Sequence, residues 1–120
     1  MGLGLVAAPG NFDIATQRTG GALIVAPDGE IDLATVVIVR EAVDRDYERG
    51  DDLVIDLRHV GFMDTSGLRY LLELNDRAQQ EGFALRLVRG PRPIQRVFEV
   101  SGLEPRLTFV SEPSESPADE

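Results

Sequence analysis

The chain of 120 residues contains no cysteine, no lysine, no tryptophan and only one histidine, His59. Without cysteine it cannot form a disulfide, a zinc–thiolate site or an iron–sulfur cluster. A single histidine excludes a multi-histidine metal site and argues against a histidine-based catalytic triad. The absence of lysine removes Schiff-base chemistry and the lysine of a P-loop. We therefore expect no catalytic residue, no metal site and no cofactor, and a function other than catalysis.

Positive charge is also scarce in this sequence. The 12 basic residues are all arginine, and 21 acidic residues bring the net charge to −9. Nucleic acid and anionic membrane surfaces attract proteins through a positive field, so we predict that the protein binds neither. No apolar stretch is long enough to span a bilayer, and the short apolar run at residues 3–8 does not form a signal-peptide core. We expect a cytoplasmic protein that is a monomer.

The two ends of the chain differ in composition from the middle. Residues 1–11 contain three glycines and one proline without a repeating pattern, and we expect them to be flexible. Residues 111–120 contain four acidic residues and no apolar residue larger than alanine. Such a segment cannot bury enough surface to offset the entropy lost on ordering, so a disordered acidic tail is expected. Residues 12–110 remain as a single domain.

Strand-like and helix-like patterns alternate along residues 12–110. Strands are predicted at 12–18, 22–26, 53–57, 84–88 and 107–110, and helices at 33–49, 66–81 and 92–101. Pro27, Asp28 and Gly29 indicate a turn that ends the second strand, and Asp32 is placed to cap the first helix. The order β-β-α-β-α-β-α-β is typical of an α/β domain. We predict a mixed sheet of four to five strands flanked by helices.

The segment from residue 53 to residue 72, LVIDLRHVGFMDTSGLRYLL, carries the strongest local signal. Its strand is followed by a predicted surface loop that contains His59 and residues 61–63. Residues 64–66, Asp-Thr-Ser, then open a helix, where their side chains can accept hydrogen bonds from free backbone N–H groups. The same position leaves a hydroxyl accessible at the positive end of the helix dipole, where a phosphate is favoured. Helix capping and a phosphorylation switch therefore both stay open.

This segment resembles the signature of STAS domains in bacterial anti-sigma-factor antagonists. The match is Asp-Leu-x-x-Val-x-Phe-Met-Asp-Thr-Ser-Gly-Leu at residues 56–68. Shorter matches agree in order and spacing: Gly-Glu-Ile-Asp at 29–32, Pro-Ile-x-Arg-Val-Phe at 93–98 and Ser-Gly-Leu at 101–103. The resemblance implies a STAS domain over about residues 12–110. A fourth helix often follows in this family, and we expect it to be short or absent here because the tail has two prolines and no apolar face.

The resemblance also implies a mechanism of partner switching in transcription regulation, as in stress response and sporulation. An anti-sigma factor that is also a serine kinase sequesters a sigma factor, and the unphosphorylated antagonist binds the kinase and releases the sigma factor. Phosphorylation at Ser66, with Thr65 as the alternative, ends the interaction, and a PP2C-type serine phosphatase restores it. The partner-binding residues implied are Glu30, Asp32, Phe62, Met63, Asp64, Thr65, Ser66, Gly67 and Leu68.

Two other functions are compatible with parts of this pattern. The chain also resembles STAS-like accessory subunits of lipid or solute ABC transporters. In such a subunit the start of the second predicted helix would dock on a membrane-associated ATPase. The matches at residues 29–32 and 62–68 together favour the antagonist. A nucleotide-binding protein or enzyme is disfavoured because the chain has no phosphate-binding loop.

Overall fold

The strands and helices of the protein follow the predicted alternation. The computed structural model describes residues 12–115, so the predicted flexible segment 1–11 and the last part of the predicted tail, 116–120, lie outside the described residues. The strands are β1 (Phe12–Thr19), β2 (Ala22–Ile31), β3 (Asp52–Asp56), β4 (His59–Met63), β5 (Leu85–Val88) and β6 (Phe109–Val110), and the helices are α1 (Val36–Asp46), α2 (Thr65–Glu81) and α3 (Arg92–Ser101). Residues 111–115 contain no helix.

The strands form one mixed sheet in the order β1-β2-β3-β5-β6, with β4 beside β2. The hairpin of β1 and β2 is antiparallel, and the other strand pairs are parallel. Along one edge of β2, residues 22–25 pair with β3 and residues 28–31 pair with β4. The α/β class and the mixed sheet are confirmed, whereas the sheet has six strands instead of the four to five predicted.

Strand β2 continues through Pro27, where the sequence predicted a turn. Partners in an antiparallel pair alternate between hydrogen-bonded and non-hydrogen-bonded. Counted from the two-glycine hairpin turn, the pair of Ile14 with Pro27 is non-hydrogen-bonded, so the N–H that proline lacks would point away from β1. On that side the pairing with β3 has ended at Val25, and the pairing with β4 begins at Asp28. Pro27 therefore removes no hydrogen bond from the sheet, and the prediction of a turn at residues 27–29 is wrong.

The loop predicted between β3 and α2 is instead strand β4. Val60 and Met63 are buried in it, while His59 and Phe62 are exposed. The strand has five residues and contains a glycine, which weakens the local strand pattern. It forms because the end of β2, far away in the sequence, offers a free edge to pair with. The predicted loop at residues 61–63 is therefore wrong, and His59 is exposed in a strand instead of a loop.

All three helices pack against one face of the sheet. Successive side chains of a strand point to opposite faces, and the inward residues of β2, β3 and β5 share a single buried cluster with the helices. This cluster includes Leu23, Val25, Leu53, Ile55, Leu87, Val39, Val43, Leu71, Leu74, Ile94 and Phe98. Because β2, β4 and β5 run parallel and each leads into a helix, the N-termini of the three helices lie at the same end of the sheet.

Helices α2 and α3 have the predicted ends to within one residue, but α1 begins later than predicted. Before α1, the Asp32 carboxylate accepts hydrogen bonds from the N–H groups of Ala34 at 3.0 Å and Thr35 at 3.1 Å. These bonds close a turn, and Thr35 occupies the cap position in front of Val36. The prediction that Asp32 caps α1 is therefore wrong, because its side chain stabilises the preceding turn.

Candidate functional site

The ends of β2 and β4 bring two of the sequence matches together. Glu30 pairs with Phe62, and Ile31 pairs with Met63, in the parallel ladder. The N–H of Asp64 donates to the carbonyl of Ile31 at 3.1 Å. Residues 29–32 and 62–68 therefore meet at the end of the sheet where the helices begin. We define the Ser66 surface as the exposed and half-exposed residues of this region: Glu30, Asp32, Leu33, Val37, Phe62, Asp64, Thr65 and Ser66.

Asp64 is the N-cap of helix α2, as its position in the sequence predicts. Its backbone is extended, and its carboxylate accepts a hydrogen bond from the N–H of Ser66 at 2.8 Å. Its carbonyl accepts hydrogen bonds from the N–H groups of Gly67 at 3.1 Å and Leu68 at 3.3 Å. Asp64 thus satisfies most of the backbone donors in the first turn of α2 and fixes the direction in which the helix leaves the sheet.

Replacing Asp64 with alanine is expected to lower the free energy of unfolding by about 1 kcal/mol, because an N-cap side chain is lost. Asp64→Asn is the matched control and should stay close to the wild type, since asparagine accepts the same hydrogen bond. Urea denaturation followed by circular dichroism measures both variants. An Asp64→Ala variant as stable as the wild type would contradict the capping role.

The two hydroxyl groups of the motif are free at the start of α2. Thr65 is exposed and Ser66 is half-exposed. Only the backbone N–H of Ser66 is engaged by the cap, and within residues 12–115 neither hydroxyl takes part in a hydrogen bond. Helix capping is therefore carried by the Asp64 carboxylate, and the Ser66 hydroxyl is left available for chemistry.

Gly67 lets α2 begin in direct contact with the sheet. A Cβ atom at this position would lie 2.6 Å from Cγ of Met63 and 3.0 Å from Cγ2 of Ile31. Met63, Gly67 and Leu68, all predicted to bind a partner, are buried. The structure therefore gives these three residues a supporting position beneath the Ser66 surface.

Three large apolar side chains are exposed on the Ser66 surface. The exposed fraction is 76% for Leu33, 47% for Val37 and 49% for Phe62. Exposed apolar groups that lie close together are typical of protein–protein contact. Of the three, only Phe62 was predicted from the sequence as a partner-binding residue. No local signal identifies the two others, because Leu33 and Val37 come to this site only through the pairing of β2 with β4.

Asp56, the first residue of the match at residues 56–68, supports the turn between β3 and β4. It is 4% exposed, and its carboxylate accepts hydrogen bonds from Arg58, with 2.8 Å to Nη2, 3.0 Å to Nε and 3.1 Å to the backbone nitrogen. Burial alone would raise the pKa of Asp56, but the hydrogen bonds and charge of Arg58 outweigh it and hold the pKa below its usual value. This pair fixes the turn between β3 and β4, and thereby the strand that carries Phe62 and Met63.

Metal-binding clusters and membrane-spanning helices are both absent from the described part of the chain. Among residues 12–115, no group of three or more His, Cys, Asp or Glu side chains is arranged to hold a metal ion. In the same range, no helix combines the length and the apolar character needed to cross a membrane.

Comparison with known proteins gives matches over most of the chain. A family model described as the STAS domain matches residues 13–115. The anti-sigma F factor antagonist of Paenibacillus polymyxa is 32% identical over 95 residues, which covers 78% of this chain and 81% of the relative. The anti-sigma-B factor antagonist of Bacillus subtilis (strain 168) is 28% identical over 94 residues, which covers 78% of this chain and 86% of the relative.

Solved structures of similar proteins have the same fold. An anti-sigma factor antagonist from Mycobacterium paratuberculosis superposes with a TM-score of 0.76 at 24% identity, covering 88% of this chain and 91% of the other. SpoIIAA in its unphosphorylated form superposes with a TM-score of 0.68 at 19% identity, covering 83% and 90%. The phosphorylated form of the Bacillus SpoIIAA gives a TM-score of 0.62 at 21% identity, covering 84% and 92%.

Proposed function

The chain belongs to the STAS domain family, and we propose that it is an anti-sigma-factor antagonist controlled by phosphorylation of Ser66. In its unphosphorylated form it binds an anti-sigma factor with serine kinase activity and so releases a sigma factor. The kinase then phosphorylates Ser66, which ends the interaction, and a PP2C-type serine phosphatase restores the binding form. The protein acts in the cytoplasm as a monomer and is not itself an enzyme. The names of its curated relatives support the antagonist role.

The observation that carries the proposal is a free hydroxyl at the end of the sheet where large apolar side chains are also exposed. Ser66 is half-exposed at the start of α2, and Phe62 and Leu33 are exposed on the same surface. A partner that covers these apolar groups also covers Ser66. A phosphate at Ser66 therefore changes the contact directly, without a change of fold.

Release of a sigma factor from its anti-sigma factor tests the proposal. The anti-sigma factor is obtained by co-purification with the Ser66→Ala variant, and its complex with a fluorescently labelled sigma factor is then titrated with the antagonist. Wild type and Ser66→Ala should both release the sigma factor, whereas Ser66→Asp should release it much less. The control is Gln79→Asp, which adds a carboxylate to an exposed position near the other end of α2 and should behave like the wild type.

Two outcomes would overturn parts of the proposal. If neither the wild type nor Ser66→Ala releases the sigma factor, the antagonist role is wrong. If Ser66→Asp releases it as well as Gln79→Asp does, Ser66 is a cap-adjacent residue and not a switch. Co-purification of a transporter ATPase with all variants alike would instead favour the accessory subunit of an ABC transporter.

A further inference from the structure

Arg69 lies one helical turn after Ser66 on helix α2. Residues three and four positions apart on a helix are neighbours on its surface, so the Arg69 side chain can reach a group attached to Ser66 or to Thr65. Arg69 is exposed. Within residues 12–115 it forms no ion pair. Its guanidinium group is therefore available close to the proposed phosphorylation site.

Most backbone donors in the first turn of α2 are already engaged. The Asp64 carboxylate occupies the N–H of Ser66, and the Asp64 carbonyl accepts from the next two N–H groups of the helix. On the neighbouring helix, Arg40 is paired with Glu73 at 2.9 Å. A phosphate on Ser66 therefore cannot use these backbone N–H groups without displacing Asp64, and Arg69 is the arginine of α2 that lies within one turn of Ser66.

The residues around Ser66 are acidic and repel a phosphate, so a nearby cation would stabilise it. Glu30 and Asp32 lie at the end of β2, and Asp64 directly precedes the site. A phosphate adds about −1.5 to −2 charges at neutral pH to a chain of net charge −9. Arginine binds phosphate through two parallel N–H donors, which makes it well suited to such a group.

Building on the proposed function, we infer that Arg69 pairs with the phosphate on Ser66. Phosphorylation then changes both the Ser66 surface and the next turn of α2, because it adds negative charge at Ser66 and neutralises the exposed positive charge of Arg69. A partner that contacts α2 meets a free arginine before phosphorylation and a phosphate–arginine pair after it. Arg69 is in this sense a positioning residue for the phosphate, and the same geometry serves a phosphate on Thr65, four positions away.

A phosphate titration tests the pairing without any partner. Phosphoserine is incorporated at position 66 of the full chain during translation, and the second ionisation of its phosphate is followed by ³¹P NMR. The pKa of the phosphate should be lower in the Arg69-containing chain than in Arg69→Gln by about 0.3 unit, as for a helix pair one turn apart. Glu30, Asp32, Asp64 and the paired Glu73 raise this pKa equally in every variant, so the difference isolates Arg69.

Two further variants separate pairing from general charge effects. Arg69→Lys keeps the charge and should retain most of the shift. Arg49→Gln removes an exposed arginine before β3, at the opposite end of the sheet, and should titrate like the unsubstituted chain. The inference is overturned if Arg69→Gln titrates like the unsubstituted chain, if Arg69→Lys titrates like Arg69→Gln, or if Arg49→Gln gives the same shift as Arg69→Gln. Since no kinase is involved, a failure of the proposed function would leave this titration unchanged.

Discussion

Phosphorylation of Ser66 is expected to weaken binding to the anti-sigma factor by about two to three orders of magnitude, which corresponds to about 3–4 kcal/mol. The phosphate brings about −1.5 to −2 charges into a contact that the exposed side chains of Phe62 and Leu33 favour by excluding water. Removing a charged group from water costs several kcal/mol, even when a cation accompanies it. Pairing with Arg69 therefore does not restore the affinity.

Helix α2 should keep its structure when Ser66 is phosphorylated. The cap of the helix uses the backbone N–H of Ser66 and the Asp64 carboxylate, not the hydroxyl. The buried face of α2, which includes Leu71 and Leu74, lies away from the modified group. A negative group near a helix N-terminus is itself favourable to the helix. The loss of affinity is thus a local effect of charge and size.

Calorimetry and hydrogen exchange together measure this prediction. Calorimetry compares the unmodified protein, the form carrying phosphoserine at position 66, and the Gln79→Asp control for binding to the anti-sigma factor. Hydrogen exchange compares the amides of α2 in the free phosphorylated and unphosphorylated forms. A change in affinity of less than about tenfold, or rapid exchange throughout α2 after phosphorylation, would contradict the local mechanism.

Helices α2 and α3 were predictable because their signals are local. The apolar spacing and the N-cap at Asp64 determine where α2 begins, and glycines mark where α2 and α3 end. Gly82 and Gly102 have φ angles of 83° and 78°, a left-handed conformation that glycine adopts at low cost. Each of these features involves residues within one or two helical turns of each other, so it can be predicted from the sequence alone.

The extension of β2 and the existence of β4 were not predictable in the same way. Both depend on the pairing of residues 28–31 with residues 59–63, and no local pattern reports that pairing. Pro27 gives a local turn signal. It fails here because the N–H that proline lacks would face a gap between two partner strands. The candidate site could not be predicted completely for the same reason. Leu33 and Val37 join the Ser66 surface only through the pairing of β2 with β4.

Replacing Gly67 with alanine is expected to lower the free energy of unfolding by about 2 kcal/mol. The added Cβ would lie 2.6 Å from Cγ of the buried Met63 and 3.0 Å from Cγ2 of Ile31, and such overpacking costs about 1–3 kcal/mol. Alanine favours a helix over glycine by up to about 1 kcal/mol, so a contact cost near the upper end of the overpacking range leaves a net loss of about 2 kcal/mol.

Gly61→Ala is the matched control for Gly67→Ala. It adds the same methyl group to β4 at a position where no atom lies within 4 Å, and it should stay within about 0.5 kcal/mol of the wild type. Urea denaturation of both variants measures the difference. Equal stability of Gly67→Ala and Gly61→Ala would mean that the start of α2 can move away from the sheet at little cost. In that case the Ser66 surface would not depend on the close approach of α2 to β4. The motif would then require Gly67 for contact with a partner and not for packing.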